Sequence, residues 1–180
     1  MSTRPRTGAE RPLIICHDGS PEATDALEYA ATLFPGTPGL VVTLWRPVAE
    51  EALAPAGRPP AADPGESGGV ARRAATQIAA DGARRASAMG LDAEPLVVEV
   101  TGSMWEAVEA IADKRDALLV VCGTNRSGVR SALPGNLAQA LVMHLSRPVL
   151  VVPSVNATAK RRREAAERHR AHRPFLAQPG

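Results

Sequence analysis

The stretch "LIICHDGSPEATDAL", residues 13–27, joins an apolar run to a helical pattern through a single acidic turn. Residues 13–16 are all apolar and predict a buried β-strand that ends shortly before Asp18. Ser20 is a favourable N-cap and Pro21 suits the first position of a helix, so we expect a helix to begin here. The stretch therefore predicts a strand, a turn that carries a carboxylate, and a helix.

The same alternation of strands and helices continues along the chain. Further strands are predicted at 40–45, 94–100, 117–123 and 147–153, and further helices at about 70–89, 103–114 and 137–145. The second strand is apolar on both faces, which is typical of a parallel sheet covered by helices. The pattern predicts an α/β fold, with a doubly wound, five-stranded parallel sheet and helices on both faces.

One domain is predicted to account for most of the chain. Of the 180 residues, 11–153 should form this domain, 1–10 a flexible N-terminus, and 154–180 a basic tail that is disordered or partly helical. Residues 49–69 are rich in Ala, Pro and Gly without periodicity and predict a long, mobile connection. No apolar run is long enough to span a membrane, and the N-terminus has no apolar segment like that of a secretion signal. We therefore expect a cytoplasmic protein that does not bind membranes.

Charge is unevenly distributed along the chain. The formal net charge is +2, and the segment from residue 157 to the end carries seven Lys or Arg against two Glu. The tail is thus +5, which leaves −3 for the remainder. Runs of charge are usually solvated, and residues 160–173 contain no Phe, Tyr or Trp on which bases could stack. Nucleic-acid binding is therefore not expected.

Two strand ends carry residues that suit a ligand. In an open parallel sheet, ligands bind beyond the carboxyl ends of the strands, and Asp18 follows the first strand. The fourth strand is followed by "GTNRSGVRSALPGN", residues 123–136, whose glycines let backbone N–H groups turn towards an anion. The helix after this loop offers further N–H groups to a phosphate, and Arg126 and Arg130 could add positive charge.

These segments together resemble the universal stress protein family. The resemblance covers residues 11–153 and rests on "ICHDGS", "VVTLWRPV", "VVCGTNRSGVRSALPGN" and "RPVLVVP" in that order. It implies the strand order 3-2-1-4-5, which would bring Asp18 opposite the 123–136 loop. It also implies a non-catalytic, stress-response regulatory protein that binds ATP or another adenine nucleotide, with or without Mg²⁺. The family often pairs through its last strand, so a homodimer through residues 147–153 is expected.

The resemblance also assigns a nucleotide-binding site. Asp18 takes the place of the acid that contacts the ribose, and the phosphate-binding glycine motif begins at Gly123 and ends at Gly135 and Asn136. Cys16, Leu44 and Cys122 would line the adenine pocket. The complete set of implied nucleotide-binding residues is Cys16, Asp18, Leu44, Cys122, Gly123, Arg126, Gly128, Gly135, Asn136 and Leu137.

The glycine motif departs from the family pattern G-x2-G-x9-G-[ST]. Arg126 stands where the second glycine should be, the loop is one residue shorter, and Asn136 replaces Ser or Thr. Two consequences stay open, because Arg126 could block the phosphate site or contact the phosphates directly. Asn136 with Gln139 also forms a capping box that needs no phosphate, and Asp18 could serve only the N–H groups of the following helix.

Structural roles are expected for the cysteines and for two histidines. Cys16 and Cys122 lie in apolar strands and are predicted to be buried, reduced thiols, although adjacent strand ends could bring them near enough for a redox pair. His17 should point to the opposite side of the sheet from Cys16, and His144 should be a surface or packing residue of the last helix. No motif places a histidine near a nucleophile, so no catalytic triad is predicted.

Three classes of function remain open at this point. The first is the nucleotide-binding regulator described above. The second is a nucleotide-free member of the family that acts through homodimerisation and protein contacts, which the change at Arg126 favours and Asp18 disfavours. The third is an enzyme that hydrolyses or transfers phosphate. It is disfavoured because the chain lacks a Walker A lysine motif and a second acid fixed opposite Asp18 to hold a metal. No metal site and no catalytic residue are predicted.

Overall fold

A parallel β-sheet organises the part of the chain that the structure describes. The structure is a computed structural model and describes residues 11–47, 64–124 and 137–154. The strands are β1 (Leu13–Cys16), β2 (Pro38–Trp45), β3 (Asp92–Glu99), β4 (Leu119–Gly123) and β5 (Val149–Val152). The helices are α1 (Pro21–Leu33), α2 (Pro64–Ala88), α3 (Met104–Lys114) and α4 (Leu137–His144). None of the helices described is long and apolar enough to cross a membrane.

The strand order confirms the doubly wound topology. The five strands are hydrogen-bonded in the order β3-β2-β1-β4-β5, and all neighbouring pairs are parallel. The chain thus builds outwards from β1 in one direction and then, after β3, returns to β4 on the other side of β1. The direction reverses between β1 and β4, and such switch points are where doubly wound sheets bind ligands.

Helices cover both faces of the sheet, as predicted. On one face, α1 and α2 bury Leu27 and Ala83 against strand residues such as Ile15. On the other face, Val108 of α3 and Leu141 of α4 pack against strand residues that include Ile14. Because successive strand residues alternate between faces, β1 supplies one core with Leu13 and Ile15 and the other core with Ile14 and Cys16.

The starts of α1 and α3 follow the predicted caps. The Ala23 N–H donates to the Ser20 Oγ at 3.2 Å, and Pro21 occupies the start of α1. In α3, the Ser103 N–H donates to Glu106 Oε2 at 3.4 Å, which is the carboxylate half of the predicted capping box. Local sequence therefore sets where these two helices begin.

Several element boundaries differ from the prediction. Helix α2 begins at Pro64, not near residue 70, so part of the predicted mobile connection is helical. Proline suits a first helical position, and each residue added to an existing helix gains a hydrogen bond, which offsets the low helix propensity of the glycines that follow. Strands β2 and β3 begin earlier than predicted because Pro38 pairs with Asp92, and proline is tolerated as the first residue of a strand. Residues 1–10, 49–63 and the tail beyond 154 lie outside the described residues.

Two arginines connect elements at the amino end of the sheet. Arg11 Nη2 and Arg147 Nη1 donate to the carbonyl oxygen of Ala117 at 2.9 and 2.7 Å. Arg147 also pairs with the Asp113 and Asp116 carboxylates that end α3. These contacts join the chain before β1 and before β5 to the turn that leads into β4. The predicted ligand site lies at the opposite, carboxyl end of the sheet.

Candidate functional site

A cleft lies at the carboxyl end of the sheet where β1 and β4 meet. It encloses about 580 Å³ of space, part of which is open solvent. Six of the ten predicted site residues line it, namely Cys16, Asp18, Leu44, Cys122, Gly123 and Leu137. The other four, Arg126, Gly128, Gly135 and Asn136, lie outside the described residues. The structure thus brings together the residues that follow β1 and those that end β4.

The floor of the cleft is apolar and comes from three neighbouring strands. Cys16 of β1, Val42 and Leu44 of β2, and Cys122 of β4 are all buried and belong to the core on the α3/α4 side. Side chains alternate between the two faces of the sheet along each strand, and these four occupy matching positions, so they all lie on the same face. Such a floor can accept a flat, apolar ring without leaving a polar group unpaired.

Asp18 brings a carboxylate to the rim of this floor. Its Oδ1 accepts a hydrogen bond from the Ser20 N–H at 3.0 Å, so the side chain stabilises the turn between β1 and α1. The residue is nevertheless exposed and lines the cleft. The helix-entry interpretation and the binding-site interpretation of Asp18 are therefore compatible, because the bond to Ser20 holds the carboxylate at the rim.

Two helices begin at the cleft and turn their N-termini towards it. Ser20, Glu22 and Ala23 of the first turn of α1 line one side, and Leu137 and Ala138 of α4 line another. The N-terminus of a helix carries partial positive charge, which favours anions. The cleft therefore combines an apolar floor, a carboxylate and two potential anion-binding helix ends.

The sequence did not predict six of the lining residues, namely His17, Ser20, Glu22, Ala23, Val42 and Ala138. Two signals could have found some of them. Val42 precedes Leu44 by two residues in one strand and so shares its face. The first turn of α1 directly follows Asp18, so its residues must lie near the same edge of the sheet. Nothing in the sequence signals that Glu22 comes close to Gly123.

Both cysteines are buried and unpaired, as predicted. Burial raises the pKa of the Cys122 thiol to about 11. Burial also raises the pKa of the Cys16 thiol, and the neighbouring Cys122 and Asp18 raise it further. Both thiols are therefore protonated at neutral pH, which makes them poor nucleophiles. Among the residues described, no three or more His, Cys, Asp or Glu side chains form a group able to hold a metal ion.

The two histidines occupy the positions expected of them. A Cβ on Gly82 would lie 2.7 Å from Cδ2 of the buried His17 ring, so His17 packs against α2, on the other side of the sheet from Cys16. His144 stacks on Trp105 with ring centroids 4.5 Å apart, which makes it a packing residue between α4 and α3. His17 also contributes to the lining of the cleft, whereas His144 does not.

The burial of His17 predicts a pH dependence of stability. Burial lowers the pKa of His17 below 6.5, and Arg85 lowers it further, although the Ala23 backbone, Asp18 and Asp81 oppose the change. The unfolded chain then binds a proton below about pH 6.5 that the folded chain does not bind, so stability should fall as pH falls from 7 to 5.5, by up to about 1.4 kcal/mol per pH unit. Urea unfolding measured across this range tests the prediction.

Two variants assign this pH dependence to one ring. His17→Gln should remove the decrease between pH 7 and 5.5, whatever its effect on stability at pH 7. His144→Gln replaces a histidine that packs on Trp105 and should leave the decrease unchanged. A decrease that survives in His17→Gln would show that another group causes it.

Comparisons with known proteins agree on one family. The model of the universal stress protein family matches residues 10–153. A universal stress protein structure from Burkholderia pseudomallei is 24% identical, covering 83% of this chain and 99% of its own, with a TM-score of 0.60. A universal stress protein in complex with cAMP is 21% identical, covering 81% and 99%, with a TM-score of 0.54. The universal stress protein from Archaeoglobus fulgidus in complex with dAMP is 16% identical, covering 80% and 98%, with a TM-score of 0.55. A comparison with curated proteins finds no match.

Proposed function

The chain belongs to the universal stress protein family, and we propose that its cleft binds an adenine nucleotide as part of a stress-response regulatory role. The observation that carries the proposal is the composition of the cleft at the switch point between β1 and β4. An apolar floor, an exposed carboxylate and two helix N-termini surround the same cleft. These are the three kinds of surface that a base, a ribose and a phosphate require.

The apolar floor of the cleft suits the base of a nucleotide. Cys16, Val42, Leu44 and Cys122 present aliphatic and thiol surface, and none of them carries a charge at neutral pH. A purine ring that covers these side chains buries apolar surface, at about 25 cal/mol per Å². The solved structures with cAMP and dAMP support an adenine base in particular, since these two relatives share the fold.

The polar groups at the rim of the cleft suit the ribose and the phosphates of a nucleotide. The Asp18 carboxylate can accept hydrogen bonds from ribose hydroxyls, which are stronger than neutral hydrogen bonds because the acceptor is charged. The N-terminus of α4, at Leu137 and Ala138, can receive a phosphate through its backbone N–H groups. Gly123, the first glycine of the motif, ends β4 at the same edge. Contacts from Arg126, Gly128, Gly135 and Asn136, and the participation of Mg²⁺, remain predictions from the sequence.

Isothermal titration calorimetry with ATP, AMP and cAMP tests the proposal, with and without Mg²⁺. We expect binding heat for the wild-type protein and a weaker affinity for Asp18→Asn. The substitution keeps an oxygen for the Ser20 N–H but removes the charge. A hydrogen bond to a charged group contributes about 1.5–3 kcal/mol, so the dissociation constant should rise by about 10- to 100-fold.

The titration has a control variant and an outcome that would contradict the proposal. Asp92→Asn changes an exposed acid at the start of β3, which lies at the amino end of the sheet, away from the cleft. This substitution should leave the affinity unchanged. The absence of heat from the wild-type protein at millimolar nucleotide would contradict the proposal. It would favour the nucleotide-free alternative, in which the protein acts through homodimerisation and protein contacts.

The proposal includes binding without turnover of the nucleotide. It is supported by the absence of a Walker A lysine motif from the sequence, since phosphoryl transfer needs groups that hold a metal and position a nucleophile. Steady release of phosphate from ATP by the wild-type protein, abolished in Asp18→Ala, would show the opposite.

A homodimer through β5 in the cytoplasm completes the proposed function. β5 lies at one edge of the sheet, and in the described part of the chain it pairs with β4 alone. Its Val149, Leu150 and Val151 are only partly buried, so a second copy could both pair with the strand and cover its side chains. Analytical ultracentrifugation should give twice the 18.8 kDa mass of the chain, and a monomer at all concentrations would contradict this part.

A further inference from the structure

The floor of the cleft places two thiols beside each other on adjacent strands. Ile15 of β1 is in register with Val121 of β4, so the next residues along the two parallel strands are Cys16 and Cys122. Both belong to the same core, and both line the cleft. We propose that Cys16 and Cys122 form a two-thiolate binding site for a soft, two-coordinate metal cation of the Cu(I) class.

The spacing of parallel strands fits a metal bridge better than a disulfide. Neighbouring strands lie about 4.8 Å apart, and side chains that project from the same face in register keep about that separation at Cβ. A disulfide requires a Cβ separation of about 3.8 Å, so the sheet would have to contract locally. Metal–sulfur bonds are about 2.3 Å long for Zn²⁺, so one cation of similar bond length can bridge two sulfur atoms up to about 4.6 Å apart, whereas a disulfide needs them about 2.05 Å apart.

The surroundings favour a soft cation that needs only two ligands. Thiolates select soft metals such as Cu(I) and Zn²⁺, and Zn²⁺ requires four ligands in structural sites. The described residues hold no group of three or more His, Cys, Asp and Glu able to complete such a set. Val42 and Leu44 next to the thiols are aliphatic and offer no competing donor atom.

The charge of the complex can be accommodated at this position. Each thiol loses one proton to solvent as its sulfur–copper bond forms, and the oxidation state of copper does not change. The two thiolates and one monovalent cation leave a single negative charge. The N-termini of α1 and α4 border the same cleft, and their partial positive charge opposes the burial and the Asp18 carboxylate, both of which disfavour thiolate there. The open cleft supplies the route by which the cation reaches the buried sulfur atoms.

A consequence for nucleotide binding rests on the proposed function. The two thiols form part of the floor on which the base would lie, so a bound cation and a nucleotide would compete for the cleft. The metal experiment is therefore done without nucleotide, so that its failure is read separately from a failure of nucleotide binding.

Anaerobic titration of the reduced protein with Cu(I), supplied as its acetonitrile complex, tests the site. A chromophoric Cu(I) chelator present as competitor reports the affinity. We expect one tightly bound ion per chain. X-ray absorption at the copper edge of the wild-type complex should show two sulfur neighbours and no nitrogen or oxygen neighbour, a readout that does not depend on any variant.

Variants then test whether both thiols act together. Cys16→Ser and Cys122→Ser should each weaken Cu(I) binding by more than the roughly 10- to 100-fold expected for loss of an outer-shell partner. Val70→Ala changes an exposed residue of α2 that does not line the cleft and should still bind one ion, and circular dichroism verifies that each variant is folded. No binding by the wild-type protein, undiminished binding by either serine variant, or binding of two ions per chain would overturn the proposal.

Discussion

Gly123→Ala should lower the free energy of unfolding by about 3 kcal/mol or more, because the end of β4 has no room for a side chain. A Cβ at this position would lie 2.7 Å from the carbonyl carbon of Glu22 and 3.1 Å from the backbone nitrogen of Ala23, and closer still to the Glu22 carbonyl oxygen. These atoms belong to the first turn of α1 and cannot rotate away as a side chain could. The alanine would therefore force α1 and β4 apart and open the wall of the cleft.

Urea unfolding followed by circular dichroism measures this loss. Gly69→Ala is the matched control, since the space around Gly69 is empty and the residue lies within α2. There the same substitution should stabilise the protein by about 0.5–1 kcal/mol through helix propensity. Equal effects of the two substitutions would mean that the approach of α1 to β4 is not a constraint on the fold.

Leu141→Ala should destabilise the protein by about 3 kcal/mol, within the 2–5 kcal/mol typical of buried leucines changed to alanine. Leu141 is fully buried in the core on the α3/α4 side. With Ala138 it makes up the buried surface of α4, a helix of eight residues. A helix this short depends on such packing more than on its own hydrogen bonds. Because Leu137 and Ala138 line the cleft, nucleotide affinity should fall together with stability.

The control for Leu141 lies in the same helix. Met143 is 68% exposed, so Met143→Ala should change stability by no more than about 0.5 kcal/mol and leave the cleft intact. Thermal unfolding and nucleotide titration of both variants provide the comparison. If Leu141→Ala unfolded with an unchanged midpoint, α4 would not be held in the way that the core indicates.

Most of the fold could be predicted from the sequence because its signals are local. Ser20 and Pro21 mark the start of α1, and the Ser20 cap forms as predicted. The apolar run at 13–16 predicts a buried strand, and every residue of β1 is buried. The predicted start of α2 was wrong because the glycines near residue 68 have low helix propensity, although the helix already begins at the proline before them. The strand order came from the family resemblance, not from any local pattern.

Part of the candidate site could also be predicted, because the ends of parallel strands are recognisable. Asp18 was predicted from its position after the first strand and Cys122 from the family resemblance, and the structure brings them to the same cleft. Val42, Glu22 and Ala138 were missed, because whether they line the cleft depends on how β2, α1 and α4 pack around β1 and β4. The four predicted residues between 125 and 136 remain predictions.

The sequence by itself determined the alternation of strands and helices, the apolar runs that become buried strands, and the chemistry available at the strand ends. Those properties follow from side-chain polarity and spacing along a few residues. Only the tertiary structure decided which distant residues meet: Gly123 with Glu22, His17 with Gly82, and Cys16 beside Cys122. Such contacts depend on strand register and helix docking, which are set by the packing of the whole core rather than by the sequence near either residue.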